Sequence, residues 1–241
     1  MNDLFVNVVK NMKKIIIGCL IVVLTITGII IYNNSKNEIT NQEVKNELKP
    51  GITLNEFDKL MLNYSNDKIV AFIEIPDIFI EPVVPSDDNE YYLNHDLNGN
   101  EDINGSIYLD YRLKIKDNNK ILIYGHSDPD LSLPFAKLAN YNDKSFYEKH
   151  PNILLHTKEK TYEFNIFASY VEVNDFDYIN IKNFNGLTWL EHLNKLKSYS
   201  QYETNVEISD DKKVIILQTC SFDSKYQSYE KKYRLVIGIE K

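Results

Sequence analysis

The apolar positions of the chain follow three successive patterns. Ile15 to Tyr32 is an unbroken uncharged apolar run, with Lys10, Lys13 and Lys14 before it and Asn33, Asn34, Ser35 and Lys36 after it. At about 1.5 Å per residue, a helix of that length just spans the roughly 30 Å of a bilayer's hydrocarbon. From Asn37 to about Asn66 the pattern turns polar and helix-forming, broken once at Pro50-Gly51. There Thr53, with Glu56 three residues on, predicts a capping box that opens a short helix through Leu60 and Leu62.

From Lys68 onward, short β-branched and aromatic runs alternate with turn residues, which is a strand pattern. It predicts strands over Ile69 to Ile75, Ile78 to Val84, Ser106 to Asp110, Lys120 to Tyr124, Asn152 to His156, Tyr162 to Val173, Lys213 to Gln218 and Tyr233 to Glu240. Lys158-Glu159-Lys160 falls at a hairpin tip. So many short strands predict a mainly β domain, a barrel or a sandwich. One helix interrupts them: Leu190, Leu193 and Leu196 recur at intervals of three over Leu187 to Tyr199, and Thr188 with Glu191 can cap its start. A weaker helical turn is expected over Phe135 to His150, between Pro134 and Pro151.

The domain reading is therefore a cytoplasmic N-terminus at 1–14, a transmembrane anchor at 15–32, a stalk and helical layer at 33–66, and one catalytic domain at 67–241. The lysines before the apolar run place the N-terminus in the cytoplasm and the body on the outer side of the cell membrane. A cleaved signal peptide is the alternative, but Gly28 to Tyr32 is rich in isoleucine and holds no small-residue cleavage site. Ile16-Ile17-Gly18-Cys19 resembles a lipoprotein box placed too early in the run, so Cys19 reads as a small lipid-facing residue.

Composition narrows the function. The 43% of hydrophobic residues, with 17 Tyr and 11 Phe, can fill a core, and a net charge of -8 excludes the basic field that nucleic acid requires. With Cys19 in the anchor, Cys220 is a thiol without an intramolecular partner in an extracytoplasmic domain. Arg112 and Arg234 are the only arginines in a lysine-rich chain, so each raises the question of what lysine could not do there.

Three segments share one grammar, an apolar strand that ends at or contains a reactive residue: Ile121 to His126, Val214 to Cys220 and Tyr233 to Gly238. Cys220, His126 and Arg234 form a coherent set for acyl transfer. A thiolate attacks an amide carbonyl, an imidazole protonates the departing amine, and a guanidinium offers fixed donors to an oxyanion. Taken singly each has a plain reading: a buried small residue, a loop histidine, a surface strand arginine. Of the other histidines, His95 and His150 sit in polar loops, His156 ends a strand, and His192 is placed on the exposed side of the helix. None has metal-ligand spacing, so no zinc site is expected.

Ile216-Leu217-Gln218-Thr219-Cys220, with Gly125-His126 upstream and Arg234 on the next strand, resembles the sortase signature T-L-x-T-C, with Ile in place of the first Thr. The helical layer, the helix before the Cys strand, and the runs Phe135-Ala136-Lys137-Leu138, Ile73-Glu74-Ile75-Pro76 and Gly105 to Arg112 are similar to class B members of that family. The likeness covers roughly Glu38 to Lys241. It implies a closed eight-stranded barrel with N-terminal helices and one inserted helix. It also implies a cysteine transpeptidase without a cofactor, which cleaves a C-terminal sorting motif of secreted proteins after Thr and passes the acyl group to a peptidoglycan amine.

By the same likeness Tyr178, Ile179, Leu93 and Thr219 bind substrate. Gln218 stands where many class B members carry Ser, and Ser221 to Tyr233 reads as an enlarged loop beside the groove. Asp87, Asp88, Glu90 and Glu101 could suggest the calcium loop of class A, but a solvated loop suits class B. The rivals are a catalytically silent membrane-tethered binding module, whose thiol would be inert, and a simple cysteine endopeptidase, which would not need an amine.

Overall fold

The computed structural model describes residues 54–241, of which Asn55–Lys241 form one compact unit. The expected anchor, most of the stalk, Cys19 and Thr53 lie outside the described residues. Among the described residues no helix is long and apolar enough to cross a membrane.

Eight strands close into a barrel: β1 (Ala71–Ile75), β2 (Phe79–Pro85), β3 (Tyr108–Leu109), β4 (Lys120–Tyr124), β5 (Asn152–Thr157), β6 (Thr161–Glu172), β7 (Val214–Cys220) and β8 (Tyr233–Glu240). They neighbour one another in the order β1-β2-β3-β4-β7-β8-β6-β5. All eight expected strands are present, and the alternative of a sandwich is replaced by full closure, which leaves no unpaired sheet edge.

Two pairings are parallel, β2 with β3 and β4 with β7. The second positions the site. In a parallel pair both strands run toward the same rim, so the register Tyr124↔Gln218 sets the residues after β4 beside the end of β7. The middle of each strand is a continuous apolar run because both faces are covered there; Ile121, Leu122, Ile123, Ile215, Ile216 and Leu217 are each 0% exposed. Each such side chain contributes about 1.5–3 kcal/mol of burial, which makes this pair a stiff base for a site.

Among the described residues, three α-helices flank the barrel. Helix α1 (Glu56–Met61) starts two residues later than a Thr53 cap would have it: Asn55 is the cap, its side chain accepting from the Asp58 N–H at 2.8 Å. Asn caps as well as Thr, and here its amide also donates to the Lys158 carbonyl at the β5–β6 hairpin, fixing the helix on the barrel. The expected turn over Phe135 to His150 is a 3-10 helix at Phe135–Asn142 followed by α2 (Lys144–Lys149).

Helix α3 (Trp189–Ser198) carries the expected capping box of Thr188 and Glu191. Its inner face differs from the expected one. His192 is 0% exposed and Leu190 is 37% exposed, because the imidazole stacks on Phe184 at 4.5 Å and on Trp189 at 5.7 Å. Burial and the nearby Lys120 pull the His192 pKa down to about 4, so this ring is neutral at pH 7.

Candidate active site

Cys220 is the last residue of β7, and its side chain is exposed at the barrel rim. Gly125 continues β4 by donating its N–H to the Gln218 carbonyl at 3.2 Å, and the Thr219 hydroxyl donates to the Gly125 carbonyl at 2.8 Å. These two bonds hold the turn that presents His126. A glycine is required there, since a Cβ would lie 2.6 Å from the Phe135 ring. His126 Nε2 in turn meets the Leu93 carbonyl. Leu93 ends a 3-10 turn (Tyr91–Leu93) nucleated by the Asp88 carboxylate, which accepts the N–H groups of Glu90 and Tyr91.

Cys220 and His126 thus line one cleft of about 540 Å³. Leu93, Tyr178, Ile179 and Thr219 line it too, so the residues carried over by family likeness are brought together. The Thr219 hydroxyl, however, is committed to Gly125 beneath the site. Gln218 faces the cleft as Cys220 does, two residues apart on one strand, and accepts from the Tyr178 hydroxyl at 2.8 Å.

Arg234 departs from expectation. In the β7–β8 ladder Cys220 stands opposite Tyr233 and Thr219 opposite Arg234. Paired residues share a face and successive residues alternate, so the Arg234 side chain leaves the sheet on the face away from the sulfur. It is 1% exposed, and its guanidinium donates to Ser169 at 3.3 Å, to Gln201 at 2.7 Å and to Asn142. Burial among neutral acceptors presses its pKa down to about 10, which keeps it cationic at neutral pH. The expected three-residue convergence is therefore a convergence of two, with the arginine underneath as a brace behind Thr219.

Tyr233, the first residue of β8, and Lys231 in the loop just before it line the cleft instead, with Asn89, Tyr108, Tyr124 and Phe176 on the remaining walls. Sequence reasoning did not single these out. The available signal was parity: Tyr124 precedes His126 by two, and Tyr233 adjoins Arg234. Although the residue is exposed at the rim, the cleft walls partly desolvate its sulfur and push the Cys220 thiol above its ordinary value, opposed by the charge of Lys232. Burial and the adjacent sulfur also raise Tyr233, so its hydroxyl stays a donor.

The described geometry, a rim thiol beside an imidazole on a closed barrel, has clear counterparts. The sortase domain model matches residues 73–240. The chain belongs to the sortase family. It is 36% identical over 200 residues to sortase B of Listeria monocytogenes, covering 82% of this chain and 74% of the relative. Sortase B of Staphylococcus aureus is 29% identical over 178 residues, covering 73% and 72%. Among solved structures, a Staphylococcus aureus sortase B–substrate complex superposes with a TM-score of 0.68 at 26% identity, covering 86% of this chain and 92% of that one. A sortase B complexed with triglycine superposes with a TM-score of 0.66 at 26% identity, covering 86% and 98%. Sortases are cysteine transpeptidases, and this chain is a class B member.

Proposed function

We propose that the protein is anchored in the cell membrane through residues 15–32, with its barrel outside the cell, and joins secreted proteins to the peptidoglycan. The Cys220 thiolate attacks the carbonyl carbon of a Thr in a C-terminal sorting motif, forming the S–C bond. His126 delivers a proton to the departing amine as the C–N bond breaks, leaving a thioester. An amine of a peptidoglycan peptide then attacks that thioester, His126 takes its excess proton, and the thiolate is released with a new amide formed. Negative charge on the carbonyl oxygen would be met by donors from the residues lining the same cleft, among which Tyr233 and Lys231 carry a hydroxyl and an amine.

The observation that carries this reading is the exposed Cys220 sulfur sharing one cleft with His126. An inert scaffold would bury its cysteine. The substrate and triglycine complexes of the similar sortase B structures support a peptide donor and an amine acceptor. The test incubates the full chain with a panel of sorting-motif peptides, with and without an added amine. Cleavage after Thr in at least one peptide, amide product only with the amine, and loss of both in Cys220→Ala are expected. Turnover in Cys220→Ala at the wild-type rate would refute the reading, and cleavage indifferent to the amine would make the protein a simple endopeptidase.

A further inference from the structure

The loop after β6, residues 173–180, walls the cleft with Phe176, Tyr178 and Ile179. Its backbone is gripped at both ends by ionisable side chains that do not themselves line the cleft. At its start the Glu172 carboxylate accepts three successive N–H groups, from Val173 at 2.8 Å, Asn174 at 2.8 Å and Asp175 at 2.9 Å. At its end three successive carbonyls are taken by two basic side chains. Lys120 Nζ donates to the Tyr178 carbonyl and to that of Asn180 at 2.6 Å, and Arg112 donates to the Ile179 carbonyl between them at 3.1 Å.

Between the two grips Phe176 sits at φ 36, ψ 15, a left-handed conformation that a bulky residue holds only where its surroundings impose it. We propose that Glu172, Lys120 and Arg112 are positioning residues for transpeptidation, clamping this loop from both ends so that Phe176, Tyr178 and Ile179 meet the peptide in one fixed arrangement; the inference rests on the sortase reading above.

Two features favour positioning over ordinary loop packing. Lys120 is 4% exposed, and its hydrogen bonds go to backbone carbonyls rather than to a carboxylate. A buried amine is costly to charge, and burial with the neighbouring Arg112 brings the Lys120 pKa down to about 7; a methionine would fill about the same space without a polar group to satisfy. Arg112 reaches the loop from a rigid hub. Its guanidinium grips Asp110 with two bonds of 2.8 and 2.7 Å, while Asp110 also accepts from Tyr124 and Asn89, which line the same cleft. Burial pushes the Asp110 carboxyl up, but the bonds from Arg112 and Tyr124 outweigh it and hold the group ionised. One hub therefore fixes the spacing between two walls of the cleft.

The test compares Lys120→Met with wild type in the full chain. Three readouts are taken: kcat and KM for the best peptide, the rate of Cys220 alkylation by iodoacetamide, and hydrogen exchange across residues 173–180. The clamp predicts KM raised about tenfold with kcat and alkylation changed by less than about twofold, and exchange protection lost in the loop but kept in β7. A variant that merely folds less well would lower kcat through the active fraction and leave KM alone. Unchanged protection overturns the clamp, and lost protection with unchanged KM overturns its role in positioning. Should Lys120→Met fail to fold, Arg112→Gln, at an exposed site, is read in the same way. If the wild type turns over no peptide, the sortase reading fails, while the exchange data still decide whether the clamp exists.

Discussion

Substituting Gly125 by Ala perturbs the His126 turn without touching a reactive atom. The added Cβ would stand 2.6 Å from Phe135 Cδ2 and 2.7 Å from Cγ, where ordinary contact begins at 3.4 Å. Something must move by close to about 1 Å. The backbone at Gly125 is held on both sides, by the 3.2 Å bond to Gln218 and the 2.8 Å bond from Thr219. Phe135 is 1% exposed and packs against Phe79 at 5.8 Å between ring centres, so it yields little.

Overpacking of this kind costs about 1–3 kcal/mol of stability. A misplacement of about 1 Å in a catalytic group costs on the order of a hundredfold in rate. Gly125→Ala should therefore lower kcat/KM for a cleaved peptide about a hundredfold while the protein still melts cooperatively. Phe135→Leu removes the obstructing ring, and the double variant should recover most of the lost kcat/KM, although Phe135→Leu alone costs some stability through the space it opens. Wild-type kcat/KM in Gly125→Ala, or a double variant as impaired as the single, would show that ring contact does not set the His126 turn.

Arg234→Lys leaves Gln201, Asn142 and Ser169 sharing one compact ammonium, and each buried acceptor left unpaired costs about 1–3 kcal/mol. At about 2–4 °C per kcal/mol for a domain of this size, Tm should fall by several degrees; an unchanged Tm with abolished turnover would mean that the guanidinium works in the cleft. The Cys220 thiol, raised by burial, should alkylate faster with each pH unit through neutrality and level off only above the ordinary thiol range, with Lys232→Gln moving the profile higher. A plateau below pH 7 would contradict the burial argument. The same shift has a stability sign: the unfolded thiol ionises first, so this group's contribution to stability is lost as pH rises above the unfolded value.

Short β-branched and aromatic runs set between turn residues made all eight strands legible, because strand pattern and turn chemistry are local. Barrel closure became readable once the signature around Cys220 suggested the family. The site was legible where chain order alone fixed it: His126 follows β4, Cys220 ends β7, and parallel pairing of those strands brings both to one rim. Arg234 was not, because its side depends on parity across the β7–β8 pair. The loop between those strands sets which residue faces Cys220, and moving the register by one would exchange Tyr233 for Arg234. His192 was misplaced for a related reason. Leucine spacing suggested one helix face, but the neighbouring rings of Phe184 and Trp189 rotate the buried stripe to include an imidazole. The loop clamp was invisible, since the grips of Lys120 and Arg112 join residues far apart in the chain, and all three grips act on backbone atoms that carry no sequence signal.

Catalysis as described here requires that the rim sulfur of Cys220 take up an acyl group from a peptide. Mass spectrometry of the full chain, quenched in acid during turnover of a motif peptide without amine, detects that transfer. A thioester is expected on Cys220, with a mass equal to the peptide up to its Thr, and it should disappear when an amine is added. An unmodified Cys220 during demonstrable turnover, or an adduct on another residue, would contradict the assignment of that sulfur as the nucleophile.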